Sequence, residues 1–157
     1  MSISVQAADF DLTAEVKALT GRRTDIGAIV TFTGTVRGEI KGPNSTKTPI
    51  ISMTLEHYPG MTEAELAKVE AEALARWPLQ GTRIIHRFGE LHPGDNIVLV
   101  IAVSAHRQAA FEAAEFLMDY LKSRAPFWKK ETATSGAGSW VDAREADDRA
   151  LERWGKE

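Results

Sequence analysis

Ile97-Val98-Leu99-Val100-Ile101-Ala102-Val103 is the longest unbroken apolar run of the chain, and its reading decides the fold. It is far shorter than the ~20 residues a membrane helix needs. It is also too short and too β-branched for a surface helix, so it reads as a central strand covered on both faces. Helical spacing follows, from about Arg107 to Ser123. Ala110, Ala114, Leu117, Met118 and Leu121 form the buried stripe, and Pro126 ends the helix. Phe127 to Thr132 then reads as extended.

Working outward, Ala28 to Val36 alternates, with Ala28, Val30, Phe32 and Val36 on one face and Thr31, Thr33 and Thr35 on the other. That period predicts a half-buried strand. Ile51, Met53 and Leu55 alternate with Ser52, Thr54 and Glu56 to predict another. Between them, Gly38, Gly42, Pro43, Asn44 and Ser45 predict a flexible loop over 38–49. Ile3 to Val5 and Trp140-Val141 are short strands, and Ile84-Ile85 begins a further one. Asp11 caps a helix that Gly21 ends. Thr62 with Glu65 reads as a capping box before the stripe Leu66, Val69, Ala73, Trp77, which Pro78 stops. Asp147 to Trp154 is helical. Strands and helices do not alternate strictly, so the expected class is α+β with a mostly antiparallel sheet and packed helices.

The chain has 157 residues, 43% hydrophobic and 26% charged, which fits one globular domain over 1–157. The absence of cysteine excludes disulfides, thiolate nucleophiles and Cys-based metal sites. It fits a reducing compartment, and the expected location is the cytoplasm. A net charge of −3 gives no reason to expect a nucleic-acid partner. No basic n-region precedes an apolar stretch, so neither a signal peptide nor a membrane association is expected. His57, His86, His92 and His106 lack metal-ligand spacing, and no phosphate-loop, dinucleotide or serine-hydrolase motif occurs. No metal and no cofactor are expected.

What remains is a set of cations in unusual places. Arg37 stands where a strand gives way to the loop. His106-Arg107 stands at the start of the long helix, where free N–H groups and the positive dipole end suit a phosphate. The bland alternative is that Arg107 solvates the helix start. Lys122 lies in the last turn, where it either complements the dipole or serves a site. Lys129-Lys130 follows Phe127-Trp128. It is either surface charge beside two core aromatics, or a lysine held against apolar walls where its charged form is disfavoured.

Together these segments resemble the large, catalytic subunit family of molybdopterin synthase. The resemblance is carried by Phe32-Thr33-Gly34-Thr35-Val36-Arg37 and by Leu55-Glu56-His57-Tyr58-Pro59-Gly60-Met61. Ile85-His86-Arg87 with Gly89-Glu90-Leu91, and Ser104-Ala105-His106-Arg107, add to it. The most specific stretch is Met118-Asp119-Tyr120-Leu121-Lys122 running into Ala125-Pro126-Phe127-Trp128-Lys129-Lys130-Glu131, and Trp140-Val141 with Ala143-Arg144 closes the set. The ordered likeness extends from about Gly27 to Trp154.

The resemblance implies an α/β-hammerhead fold and a sulfur transferase of molybdenum cofactor biosynthesis. Its substrate is a cyclic pyranopterin monophosphate, which gains two sulfurs as a dithiolene. The implied partner is a small ubiquitin-like sulfur-carrier subunit whose C-terminal Gly-Gly bears a thiocarboxylate. The implied assembly is a homodimer with one small subunit at each end, a heterotetramer. The implied catalytic residues are Lys122 and Lys129. Implied substrate contacts are Thr35, Val36, Arg37, His106, Arg107, Lys130 and Glu131, with Arg144 nearby and Phe32 and Met118 lining the pocket.

One geometric expectation is independent of the family. His106 and Lys122 bracket a single helix, so their backbones stand ~24 Å apart. A pterin monophosphate is roughly half that length. If both residues serve one ligand, two chains should build the site. Two other readings remain at this point: a dimeric module that binds an anionic metabolite or a ubiquitin-like tail without chemistry, and a lysine Schiff-base enzyme acting on a phosphorylated sugar.

Overall fold

The computed structural model describes residues 2–41, 47–133, 138–141 and 145–155. The run that opens the sequence reading is the middle of β7 (Asn96–Ser104), which lies between β5 (Leu79–Arg87) and β2 (Ala28–Thr35). With β1 (Ile3–Gln6) these form a 4-stranded sheet in the order β1-β5-β7-β2. The β1–β5 pair is parallel; β5–β7 and β7–β2 are antiparallel. A strand with neighbours on both edges and helices on both faces has no wet side, so every residue from Val98 to Ser104 is buried.

The two faces of β7 feed separate cores. Val98, Val100 and Ala102 pack under α2 (Met61–Arg76) and α3 (Arg107–Ser123), against Leu66, Val69, Phe116 and Leu117. Leu99, Ile101 and Val103 face Phe10, Val16 and Leu19 of α1 (Leu12–Thr20) and its approach. Phe116 is fully buried, with its ring 5.2 Å from Trp77 and 5.5 Å from Trp154. Truncating it to Ala would cost ~3–5 kcal/mol through lost transfer energy and a cavity. Gly27 is obligatory for a different reason. A Cβ there would lie 2.0 Å from the carbonyl oxygen of Ala105, so the chain entering β2 passes too close to the β7–α3 turn for any side chain.

The second sheet carries β3 (Glu39–Lys41), β4 (Lys47–His57), β8 (Phe127–Ala133) and β9 (Gly138–Val141) in that order, with β6 (Gly89–Leu91) paired to β4. A small core of Val36, Met53, Leu55 and Leu91 lines it. α4 (Glu145–Glu152) follows β9, and the Trp154 just beyond it donates its indole N–H to Asp119 of α3 at 2.6 Å. The α+β class with predominantly antiparallel sheets is as expected.

Several local expectations are corrected. The flexible loop proposed for 38–49 contains a ladder, in which Glu39, Ile40 and Lys41 pair with Pro49, Thr48 and Lys47. Ile51 is 46% exposed while Ser52 is buried, because a bulge between Ile50 and Ser52 shifts the β4–β8 register and reverses the alternation there. The α2 cap is two residues earlier than expected. Glu63, not Glu65, accepts the Gly60 N–H at 2.6 Å, and Gly60 takes φ 82°, which favours glycine. Glu65 pairs instead with Lys68 at 2.8 Å. Phe32, assigned to the inner face of its strand, is 41% exposed because β2 is an edge strand.

Candidate functional site

Three segments distant in sequence meet at one end of the second sheet. Along β8 the side chains alternate. Lys129 is partly buried, Glu131 is buried, and Trp128 and Lys130 are exposed. Lys129 stands opposite Leu55 and Glu131 opposite Met53 in the β4 register, so both project over the apolar core of that sheet. Lys129 Nζ lies 3.5 Å from Glu131 Oε1. Lys122 reaches the same place from the last turn of α3, whose end is closed by Arg124 N–H donating to the Tyr120 carbonyl at 2.8 Å.

The third segment is the end of β2. A bulge between Gly34 and Thr35 turns the chain, and the Pro93–Asp95 turn then pins it. Val36 N–H donates to the Asp95 carbonyl at 2.9 Å, and Gly94 N–H donates to the Val36 carbonyl at 2.9 Å. Buried Val36 is thereby held while Arg37 stands exposed beside it. A cavity of about 100 Å³ results. Thr35, Val36, Arg37, Lys122, Lys129 and Glu131 line it, with Met53, Ile50 and Ile97 as apolar wall and Glu39 at the side.

Six of the sequence-predicted residues are therefore together, and five others are elsewhere. His106 is the N-cap of α3 and Arg107 its first residue, both exposed at the opposite helix end from Lys122. No acidic residue occupies the first turn, so nothing there offsets the positive end of the dipole. Lys130 projects from the face of β8 opposite to Lys129. Phe32 lies over Gly34, where an added Cβ would stand 3.4 Å from its ring. Met118 packs, partly buried, against the main core. Arg144 lies outside the described residues.

Sequence reasoning gave no role to Glu39, nor to an aromatic group beneath the junction of α3 and β8. The His86 ring stacks on Phe127 at 3.6 Å and 18°, and His57 lies 4.4 Å from Phe88 and 6.2 Å from Phe127. His86 Nδ1 donates to the Arg87 carbonyl at 2.8 Å. Burial pushes the His86 pKa down from 6.5 to about 4. The Arg87 carbonyl opposes that shift, and the neighbouring charges of Lys122 and His57 add to it. A larger open groove of about 470 Å³, lined by Glu56, His57, Tyr58 and Trp128, carries an acidic side chain and no lysine or arginine, so it is the poorer place for a phosphate.

Among the described residues no group of three or more His, Asp or Glu side chains could hold a metal ion, and no helix is long and apolar enough to cross a membrane. Chemically, the cavity offers a guanidinium and two amines to an anion above an apolar floor.

Residues 5–124 match the family described as MoaE protein. The molybdopterin synthase catalytic subunit of Mesorhizobium japonicum is 56% identical over 154 residues, covering 98% of this chain and 92% of that protein. The solved MoaE protein of Burkholderia ambifaria superposes with a TM-score of 0.81 at 52% identity, covering 99% of both chains. A complex of subunits 1 and 2 of the molybdopterin-converting factor from Helicobacter pylori shares the fold, with a TM-score of 0.70 at 20% identity and 92% of each chain covered.

Proposed function

The chain belongs to the MoaE family, the catalytic subunits of molybdopterin synthase in molybdenum cofactor biosynthesis, and from that premise we propose how its cavity works. The cavity takes a cyclic pyranopterin monophosphate together with the C-terminal thiocarboxylate of a small ubiquitin-like subunit. The observation that carries this reading is the convergence of Arg37, Lys122 and Lys129 on one apolar-floored cavity. Both proposed ligands are anions, and a cation cluster partly shielded from water holds anions more strongly than an open surface does.

For each sulfur, the thiocarboxylate attacks the pterin side chain through its sulfur. A carbon–sulfur bond forms as a carbon–oxygen bond of the side chain breaks, the oxygen leaving on the phosphate or, with a proton from a lysine, as water. The carrier is left joined to the substrate as a thioester. Water then cleaves the acyl–sulfur bond. The sulfur stays on the pterin, and the tail leaves as a carboxylate. Protons move at both stages. Arginine does not release protons near neutral pH, whereas lysine amines do, so Lys122 and Lys129 are assigned to proton transfer and to stabilising developing negative charge. Arg37 binds phosphate. Buried Glu131 faces the Lys129 amine and orients it.

A volume of about 100 Å³ in one chain is well below the ~300–1,000 Å³ of small-molecule sites. With His106 and Arg107 at the far end of α3, this supports a site completed by a second copy, hence a homodimer bearing one small subunit at each end. Exposed Lys130 and the Phe32 beside Gly34 then face the neighbouring chain. The working compartment is the cytoplasm. The test is reconstitution with the thiocarboxylated small subunit and the cyclic pyranopterin. Dithiolene product is expected with the intact carrier and none after deletion of its terminal Gly-Gly. Product from a tail-less carrier would overturn the delivery route.

A further inference from the structure

Lys122 and Lys129 come from different elements, and the short connection between them must hold both amines at a working distance. Its polar tethers are local or long. Phe127 N–H donates to the Ala125 carbonyl at 2.8 Å, and Thr62 Oγ1 reaches the Pro126 carbonyl only at 3.4 Å. A close contact that ties this connection to the first sheet is between rings. His86 stands on β5 of the first sheet, and Phe127 opens β8 of the second. Their centroids are 3.6 Å apart and their planes 18° from parallel. Phe127 and Lys129 are two residues apart on one strand and so share a face.

We infer that His86 is a positioning residue of this site: laid flat on Phe127, its ring holds the start of β8 against the first sheet and so sets Lys129 relative to Lys122. The inference rests on the catalytic reading of the two lysines. Three features make His86 suited to the task. Its Nδ1–H is committed to the Arg87 carbonyl, which defines the ring plane. The ring is buried, so it cannot swing into water. It stays uncharged beside Lys122, and an added cation there would repel the amine it serves. His57, 4.4 Å from Phe88 and 6.2 Å from Phe127, belongs to the same aromatic group.

The test compares His86→Leu, which removes the flat ring, with His86→Phe, which keeps it. Each is read by kcat and KM in the reconstituted assay. A second readout is mass-spectrometric labelling rates of Lys122 and Lys129 with an amine-reactive reagent, which needs no turnover. Displacing a catalytic group by about 1 Å costs ~10²-fold. His86→Leu should therefore lower kcat by roughly that factor while KM stays within about threefold, and should shift the labelling rates severalfold. His86→Phe should restore most of the turnover. Equal losses in both variants would overturn the stacking role, as would unchanged kcat and labelling in His86→Leu while Lys122→Ala is inactive. Shifted labelling with full turnover would leave positioning standing and overturn the catalytic reading of the lysines. Should His86→Leu not fold, Phe127→Leu breaks the same stack from its partly buried side and carries the same outcomes.

Discussion

Acidification should unfold this protein partly through His86, and the size of the effect follows from its surroundings. The folded ring holds a pKa of about 4 against 6.5 in an unfolded chain. Above pH 6.5 neither state is protonated, and this residue adds no pH dependence. As pH falls from 6.5 toward 4, the unfolded chain takes up a proton that the folded ring refuses. Stability is lost over that window and levels off below it. The loss is about 1.4 kcal/mol at pH 5.5 and about 3 kcal/mol at pH 4. Carboxylates with lowered pKa, such as Asp9 and Asp25, also shed stability in acid, so the comparison must be differential. Urea unfolding of wild type and His86→Phe, at one protein concentration and at pH 7.5, 5.5 and 4, isolates the histidine. The phenylalanine variant should lose less stability on acidification by those amounts, whatever its offset at pH 7.5. Parallel curves for the two proteins would refute the account of a buried, neutral His86.

Two further outcomes concern the site. Arg37→Ala should weaken pterin binding roughly ten- to hundredfold, since a charged hydrogen bond is worth ~1.5–3 kcal/mol; equilibrium titration with the cyclic pyranopterin checks it, and unchanged affinity would remove Arg37 from the phosphate site. Mixing inactive His106→Ala and Lys122→Ala proteins under subunit exchange should return about a quarter of wild-type activity, because half the dimers are then mixed and each mixed dimer has one intact composite site. No recovery after verified exchange would show that His106 and Lys122 do not share a site across chains.

The parts of the fold legible in the sequence are those where one physical demand acts along consecutive residues. An uninterrupted apolar run, rich in β-branched residues, requires burial on both faces and is the middle of β7. A helical stripe closed by Pro126 is α3, with the bounds read from the sequence. What escaped was set by pairing partners. Ile51 and Ser52 exchange places because β8 meets β4 through a bulge, and no alternation within β4 records that. Glu39 to Lys41 looks like loop because its Gly/Pro-rich flank masks a short ladder to 47–49.

The site divides in the same way. Arg37, Lys122 and Lys129 were legible as cations in odd places, but only the family resemblance joined them, since spacing does not reveal that the end of β2 meets the end of α3. His86 lies within one of the motifs, where the sequence gives it no role. A lone histidine on an apolar strand reads as a satisfied core residue until its stacking partner is known to sit between two lysines.

The central claim is that the amines of Lys122 and Lys129 carry the chemistry. Single-turnover dithiolene formation in Lys122→Ala and Lys129→Ala, with thiocarboxylated carrier and pterin both saturating, tests it most directly. Lys122 is exposed, so the fold should change by no more than ~0.5 kcal/mol, which circular dichroism and denaturation verify. The rate of the bound complex should fall ~10²–10⁴-fold in each variant, the range of general acid–base assistance. A well-folded Lys122→Ala protein that forms dithiolene at close to the wild-type rate would contradict the account.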